Sequence, residues 1–165
     1  MQVLDMAILS LESWEGNKMG KRRVEELIIP ALNAIEGNMF KDEKDYSKCE
    51  IPSEFKGYIS SFGASIIQNG LVSTIHFFNN KNANTNEDRT IIVTLLFDML
   101  KSYYVEDNTY DFNFENIHNL LELVKENNDR LDILTEIIVD AAIALKLAMR
   151  TYKISDKKKK EKGNG

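Results

Sequence analysis

Hydrophobic side chains recur every three or four residues along most of this chain, which is the spacing that lines one face of an α-helix. The clearest case spans Phe55 to Phe78, where two such runs flank Gln68-Asn69-Gly70. Asn and Gly accept the left-handed backbone conformation that closes a helix. The pattern therefore predicts two helices that turn sharply at Gly70 and pack their apolar faces against each other.

The same spacing predicts helices on both sides of this hairpin, at positions 4–14, 24–35, 92–103 and 117–124. We expect a break near Gly16–Gly20, because glycine is a poor helix residue, and a kink or boundary at Pro30. The Ser47-x-x-Glu50 spacing is typical of a capping box, so the central helix should begin near Ile51–Ser53. Thr85 or Asn86 is the expected cap of the next helix.

The last predicted helix, from Leu131 to Tyr152, has the longest and most regular apolar stripe. Further apolar positions at 133, 137, 144 and 147 make the stripe wider than one neighbouring helix would cover. This helix is therefore expected either to be the central element of the bundle or to use one flank as a subunit contact.

Composition supports a single class of fold. Gly and Pro together number ten among 165 residues, and no extended alternation of apolar and polar residues stands out. We expect an all-α, compact single-domain helical bundle of about six to seven helices over residues 1–155. Residues 156–165, with five lysines, are predicted to form a polybasic flexible tail.

Net charge and cysteine content bound the function. The chain carries −5 overall, but the tail carries +3, so residues 1–155 carry −8. An acidic body repels phosphates, which argues against independent tight binding to nucleic acid. The lone Cys49, the absence of a signal peptide and the absence of a long apolar run predict a soluble cytoplasmic protein with no membrane partner.

The titratable residues form no recognisable catalytic or metal-binding pattern in the sequence. His76 and His118 do not form a His-Glu-x-x-His motif, and one cysteine cannot build a thiolate zinc site. Glu136 and Asp140 have helical spacing but no third ligand nearby in sequence. The sequence therefore predicts a protein that is not an enzyme and has no cofactor or metal.

The hairpin also carries a resemblance to a known family. The residues concerned are Lys56-Gly57-Tyr58, the run 62–67, Gln68-Asn69-Gly70-Leu71 and His76-Phe77-Phe78. Their order and spacing resemble the small-subunit family of the type III-B (Cmr) CRISPR RNA-silencing complex. A weaker similarity lies in the Ala-rich segment 141–152, which lacks the Trp that the family usually has there.

This resemblance implies a non-catalytic subunit in antiviral defence. Several copies would stack along a ribonucleoprotein filament, beside backbone subunits that hold the guide RNA, and would help accommodate the target RNA. The implied partners are the other Cmr subunits, further copies of the chain, guide RNA and target RNA. The alternative is a helical protein-protein adaptor unrelated to CRISPR, which would use the same bundle but need no basic track.

Six cations are the candidate RNA contacts. Lys56 is a candidate through the family motif, while Lys146, Arg150 and Lys153 are candidates through their spacing, which would place them with Lys157 on one helix face. Arg22 and Arg23 are weaker candidates, because Glu25 and Glu26 follow them. Basic residues at the end of a helix also favour its dipole, so stability alone could account for the first group.

Overall fold

The computed structural model describes residues 16–81, 84–85, 87–105 and 128–155. In chain order its elements are helix α1 (Gly16–Met39), a 3-10 turn (Tyr46–Lys48), strand β1 (Glu50–Pro52), helices α2 (Ser53–Asn69), α3 (Leu71–Phe78), α4 (Thr90–Val105) and α5 (Asn128–Met149), and strand β2 (Lys153–Ser155). The predicted all-α class is confirmed, with two short strands added to it. The predicted helices at 4–14 and 117–124, and the predicted tail, lie outside the described residues.

Helix α1 is continuous from Gly16 to Met39, so the predicted break at Gly16–Gly20 is wrong, and of the two alternatives at Pro30 the boundary is wrong. Its inward face is fully buried at Leu27, Ala31 and Ile35. Packing of this face against α4 and α5 compensates for the weak helix propensity of the glycines and for the donor that proline lacks.

Helices α2 and α3 form the hairpin that the sequence predicts. Gly70 has φ +82°, and its N–H donates to the Ile66 carbonyl at 2.9 Å, which closes α2. The Gly70 carbonyl then accepts the Thr74 hydroxyl at 2.8 Å in the first turn of α3. The rings of Phe62 and Phe78 meet edge to face at 5.1 Å, so the two apolar faces pack together.

Helix α5 packs against α1, α2 and α4, which confirms its predicted central position. Leu134, Ala141, Leu145 and Ala148 are fully buried along it. The helix ends at Met149, however, three residues before the predicted end at Tyr152. Tyr152 still reaches the core from the following segment, because its ring packs 5.3 Å from Phe40 and its hydroxyl donates to Glu36 at 3.0 Å.

The two strands form a small parallel sheet that joins distant parts of the chain. Glu50 is opposite Lys153, Ile51 is opposite Ile154 and Pro52 is opposite Ser155. Ile51 is fully buried, so the sheet closes one end of the core.

The predicted capping box at Ser47 and Glu50 is wrong. The Ser47 hydroxyl and N–H instead donate to Asp45 at 2.5 and 3.1 Å, which forms the 3-10 turn. Glu50 lies in β1, and α2 begins at Ser53 without a side-chain cap.

The predicted caps of α4 are also replaced by a different residue. The Asp88 carboxylate accepts the N–H of Thr90 at 2.9 Å and its hydroxyl at 2.7 Å. The Thr85 hydroxyl donates to the Glu87 carbonyl instead, and Asn86 lies outside the described residues.

Candidate nucleic-acid interface

Lys56 lies in the second turn of α2, and its side chain is exposed. The buried residues of α2 are Phe55, Ile59, Phe62 and Ile66, so the exposed positions 56, 60, 64 and 67 occupy the opposite face. The Ser60 hydroxyl donates to the backbone carbonyl of Lys56 at 2.9 Å. Lys56 is available to a phosphate from the solvent side.

Lys146 and Arg150 lie near the end of α5 but do not share a continuous helix with Lys153. Lys146 is half-buried within the helix, while Arg150 is exposed in the turn that follows it. The backbone N–H of Arg150 donates to the Leu147 carbonyl at 3.1 Å. The predicted single face of four cations is therefore wrong, because the helix stops at Met149, and Lys157 lies outside the described residues.

Lys153 belongs to β2 and is engaged in an ion pair across the sheet. Its Nζ lies 2.5 Å from Glu50 Oε1. This contact raises the pKa of the Lys153 ammonium, although the side chain remains 74% exposed. A phosphate would have to compete with Glu50 for this cation.

Arg22 contacts an acid of its own helix. Its Nε donates to Glu26 at 2.7 Å, and Glu26 also accepts the Tyr103 hydroxyl at 2.5 Å. The Tyr103 bond first, and the Arg22 bond second, hold the pKa of Glu26 below its usual range. This arrangement fits the weaker standing of Arg22 as a candidate.

Arg23 has a structural partner on another helix. Its Nη1 donates to Asp140 Oδ2 at 2.8 Å, and the two side chains are only 11% and 15% exposed. Burial raises the pKa of the Asp140 carboxyl and outweighs the opposing effect of the guanidinium. Arg23 therefore joins α1 to α5 and faces away from solvent.

The motif residues of the hairpin divide between packing and exposure. Leu71 is buried, and the half-buried Tyr58 donates its hydroxyl to the Glu87 carbonyl at 3.2 Å. Gln68, Asn69 and Gly70 are exposed at the turn. His76 is exposed as well.

Four apolar side chains are exposed on helices α2, α3 and α5. Ile67 is 84% exposed on α2 and Phe77 is 56% exposed on α3. On α5, Ile143 and Leu147 are 45% and 38% exposed, four residues apart. The exposure of Ile67 is indicated in the sequence by its position outside the apolar stripe of α2. Leu147 had been predicted to widen the stripe of α5.

The guanidinium of Arg89 adds one feature that sequence reasoning missed. It lies 4.0 Å above the centre of the Phe77 ring, as a cation–π pair. Phe77 lies in α3 and Arg89 lies twelve positions later, in the turn before α4, so no helical spacing could have linked them.

Neither a metal centre nor a membrane span emerges from the described residues. Within them, no three His, Cys, Asp or Glu side chains come together as a possible metal site. In the same part of the chain, no helix is both long enough and apolar enough to cross a membrane.

Comparison with known proteins identifies the family. The model of the family described as CRISPR-associated protein (Cas_Cmr5) matches residues 40–147, which include β1, the hairpin, α4 and nearly all of α5. No curated protein and no solved structure matches the chain significantly. The family match covers about two thirds of the chain and includes the hairpin on which the resemblance rested. The chain therefore belongs to the Cas_Cmr5 family of CRISPR-associated proteins, the small subunits of Cmr complexes.

Proposed function

We propose that this chain is a non-catalytic subunit that stacks with further copies of itself along the Cmr ribonucleoprotein and helps accommodate target RNA paired to guide RNA. The observation that carries the proposal is the outer flank of α5, which we define as Ile143, Lys146, Leu147 and Arg150. Ile143, Lys146 and Leu147 are three or four positions apart, so they share one side of α5, and Arg150 lies in the turn that follows Met149. Two are exposed apolar side chains and two are cations.

This combination suits a subunit that touches protein and RNA together. The apolar side chains gain free energy when a neighbouring subunit covers them. The cations favour phosphates that pass close to the same flank, even though the net charge of the body is negative. Contacts of this kind carry no base specificity, so pairing with the guide RNA would select the target.

The stacking part of the proposal is tested by charge substitution at Ile143 and Leu147. We expect Ile143→Asp/Leu147→Asp to lower the number of copies that co-purify with the other Cmr subunits, because a buried, unpaired carboxylate opposes association. Ile29→Asp is the matched control, since Ile29 is 62% exposed on α1. Equal incorporation of the flank variant and the wild type would contradict the proposal.

The RNA part is tested by charge reversal at Lys56 and Arg150. In the assembled complex, Lys56→Glu/Arg150→Glu should weaken target-RNA capture and reduce its salt dependence by about one counterion per lost contact. The control is Lys44→Glu, in the exposed loop after α1, which makes the same charge change at a lysine that is not a candidate contact. An unchanged affinity and salt slope would remove Lys56 and Arg150 from the candidate contacts. A substitution of Lys153 would also disturb Glu50, so it would not isolate an RNA contact.

A further inference from the structure

An open groove of about 390 Å³ lies where the end of α1, strand β1, the first turn of α2 and the segment before α4 meet. Its floor is apolar and includes Phe40, Phe55 and Ile91. Its other lining residues include three acids, Glu50, Glu87 and Asp88. We call this feature the acidic groove. No cation lines it among the described residues.

A groove with an apolar floor beside carboxylates favours one kind of side chain as its ligand. Lysine side chains pack their methylene stems on apolar surface while their ammonium groups reach nearby acids. The groove therefore suits a lysine-rich segment. It is unsuited to RNA, because its carboxylates repel phosphates.

The parallel sheet brings Ser155, the last described residue, to the edge of the groove. Pro52 lines the groove and lies opposite Ser155 in the register of the two strands. Because the strands are parallel, the chain leaves Ser155 in the direction in which β1 runs into α2. Lys157 to Lys160 follow two to five residues later, which is within about 7 to 17 Å of Ser155 in extended chain.

One lysine of the same part of the chain already contacts an acid of the groove. Lys153 Nζ pairs with Glu50 Oε1 at 2.5 Å, at the edge where β2 meets β1. Glu87 and Asp88 lie farther along the lining. The lysines after Ser155 would continue this pairing toward them.

We propose that the lysine run 157–160 docks into the acidic groove of its own chain. The contact places a positively charged segment over a negatively charged surface and reduces repulsion within the acidic body. Phosphates brought close by the assembled complex would compete with the groove for the same ammonium groups. The docking goes beyond the proposed function and is testable in the isolated chain, so either proposal can fail without the other.

Tryptic cleavage measures the docking directly. In the full chain at low salt, we expect cleavage at Lys157–Lys160 to be about fivefold slower than in Glu87→Lys, which reverses one charge of the groove. High salt should abolish the difference, since it screens exposed charges. Glu25→Lys is the matched control, because Glu25 is exposed on α1 about 21 Å along the helix from Met39. Cleavage at Lys44 in each sample corrects for the activity of trypsin.

Equal cleavage of the lysine run in wild type, Glu87→Lys and Glu25→Lys at low salt would overturn the proposal. So would equal acceleration by the two variants, because net charge alone would then explain the effect. A second measurement locates the contact. Deleting residues 156–165 should shift the amide NMR signals of Glu50, Phe55 and Ile91 and leave those of Gln68–Gly70 unchanged. Shifts absent from the groove would also overturn the docking.

Discussion

Gly70 closes α2 with a backbone conformation that side-chain-bearing residues rarely adopt. Its φ of +82° and ψ of 164° fall in a region populated almost only by glycine. An added Cβ would meet no atom within 4 Å, so a substitution would be opposed by backbone strain alone. We expect Gly70→Ala to lower the free energy of unfolding by about 1–3 kcal/mol, measured by urea denaturation.

Gly57→Ala is the control for this prediction. Gly57 is exposed inside α2, and a Cβ there also meets nothing within 4 Å. Because alanine favours the helix over glycine, this variant should gain about 0.5–1 kcal/mol. A loss of stability at both positions would show that the conformation of Gly70 is not the cause.

The Arg23–Asp140 pair is sensitive to removal of its cation. Arg23→Ala leaves a carboxylate that is 15% exposed without its counter-charge, so we expect a loss of about 3 kcal/mol in unfolding free energy at neutral pH. Replacing both residues by leucine should cost much less, since no buried charge remains. A double variant as unstable as Arg23→Ala would contradict this explanation.

Asp140 also predicts a pH dependence. Its pKa is raised in the folded chain, so the folded state binds this proton more tightly than the unfolded state does. The contribution of Asp140 to stability should therefore fall as pH rises from the ordinary aspartate pKa through the raised value. Comparing the pH dependence of the unfolding free energy of wild type and Asp140→Asn, from the ordinary aspartate pKa of about 4 upward, isolates this contribution, and parallel curves would refute it.

At the scale of elements, the hairpin is held by one face of α2. Phe62 is fully buried against Phe78, whereas Ile67, five residues later, is 84% exposed. We expect Phe62→Ala to lower the unfolding free energy by about 3–5 kcal/mol, because it opens a cavity between the two helices. Ile67→Ser should stay within about 0.5 kcal/mol of wild type. Thermal or chemical denaturation distinguishes these outcomes, and similar losses at both positions would exclude the one-sided packing.

The helices were predictable because burial on one side gives a period that the sequence displays. The stripe from Phe55 to Ile66 and the Asn-Gly sequence at 69–70 correctly gave two helices and the turn between them. The end of α5 was not predictable in the same way. Tyr152 continues the apolar spacing of the helix, yet it reaches Phe40 from the segment that follows the helix.

The sheet could not be predicted from local sequence. Each strand has three residues, which is too short to show an alternating pattern, and β1 ends in a proline. The pairing also joins segments about one hundred positions apart. Only the three-dimensional arrangement of α1, α2 and α5 brings them together.

For the molecule as a whole, this pairing shields the lone thiol. Cys49 is 6% exposed beside β1, and burial first, with nearby acids second, raises the pKa of its thiol. Deleting residues 150–165 removes β2 and the packing of Tyr152 on Phe40. We expect the thiol to react at least about tenfold faster with a disulfide reagent, because local opening becomes easier.

Deleting only residues 156–165 is the control, because it retains β2. The thiol should then react as slowly as in the full chain. Equal reactivity of all three chains would show that β2 does not protect this end of the core.

The candidate interface was less predictable than the fold, since charge along a sequence does not reveal pairing. Arg23 and Lys153 are cations of the kind that contact phosphates, but in the structure they pair with Asp140 and Glu50. Lys56 and Arg150 are exposed and remain candidates. The acidic partners of Arg23 and Lys153 lie about one hundred positions away or more along the chain, so no local spacing in the sequence indicates these pairs.

The central position of α5 has a consequence for synthesis. Helices α1, α2 and α4 all precede it, and their apolar faces await a partner that the ribosome makes last among the described helices. The nascent chain must therefore expose apolar surface until α5 has been synthesised and packs against these helices. Codon usage or chaperone binding that delays translation before residue 128 should therefore govern the yield of folded subunit more strongly than a delay after residue 155.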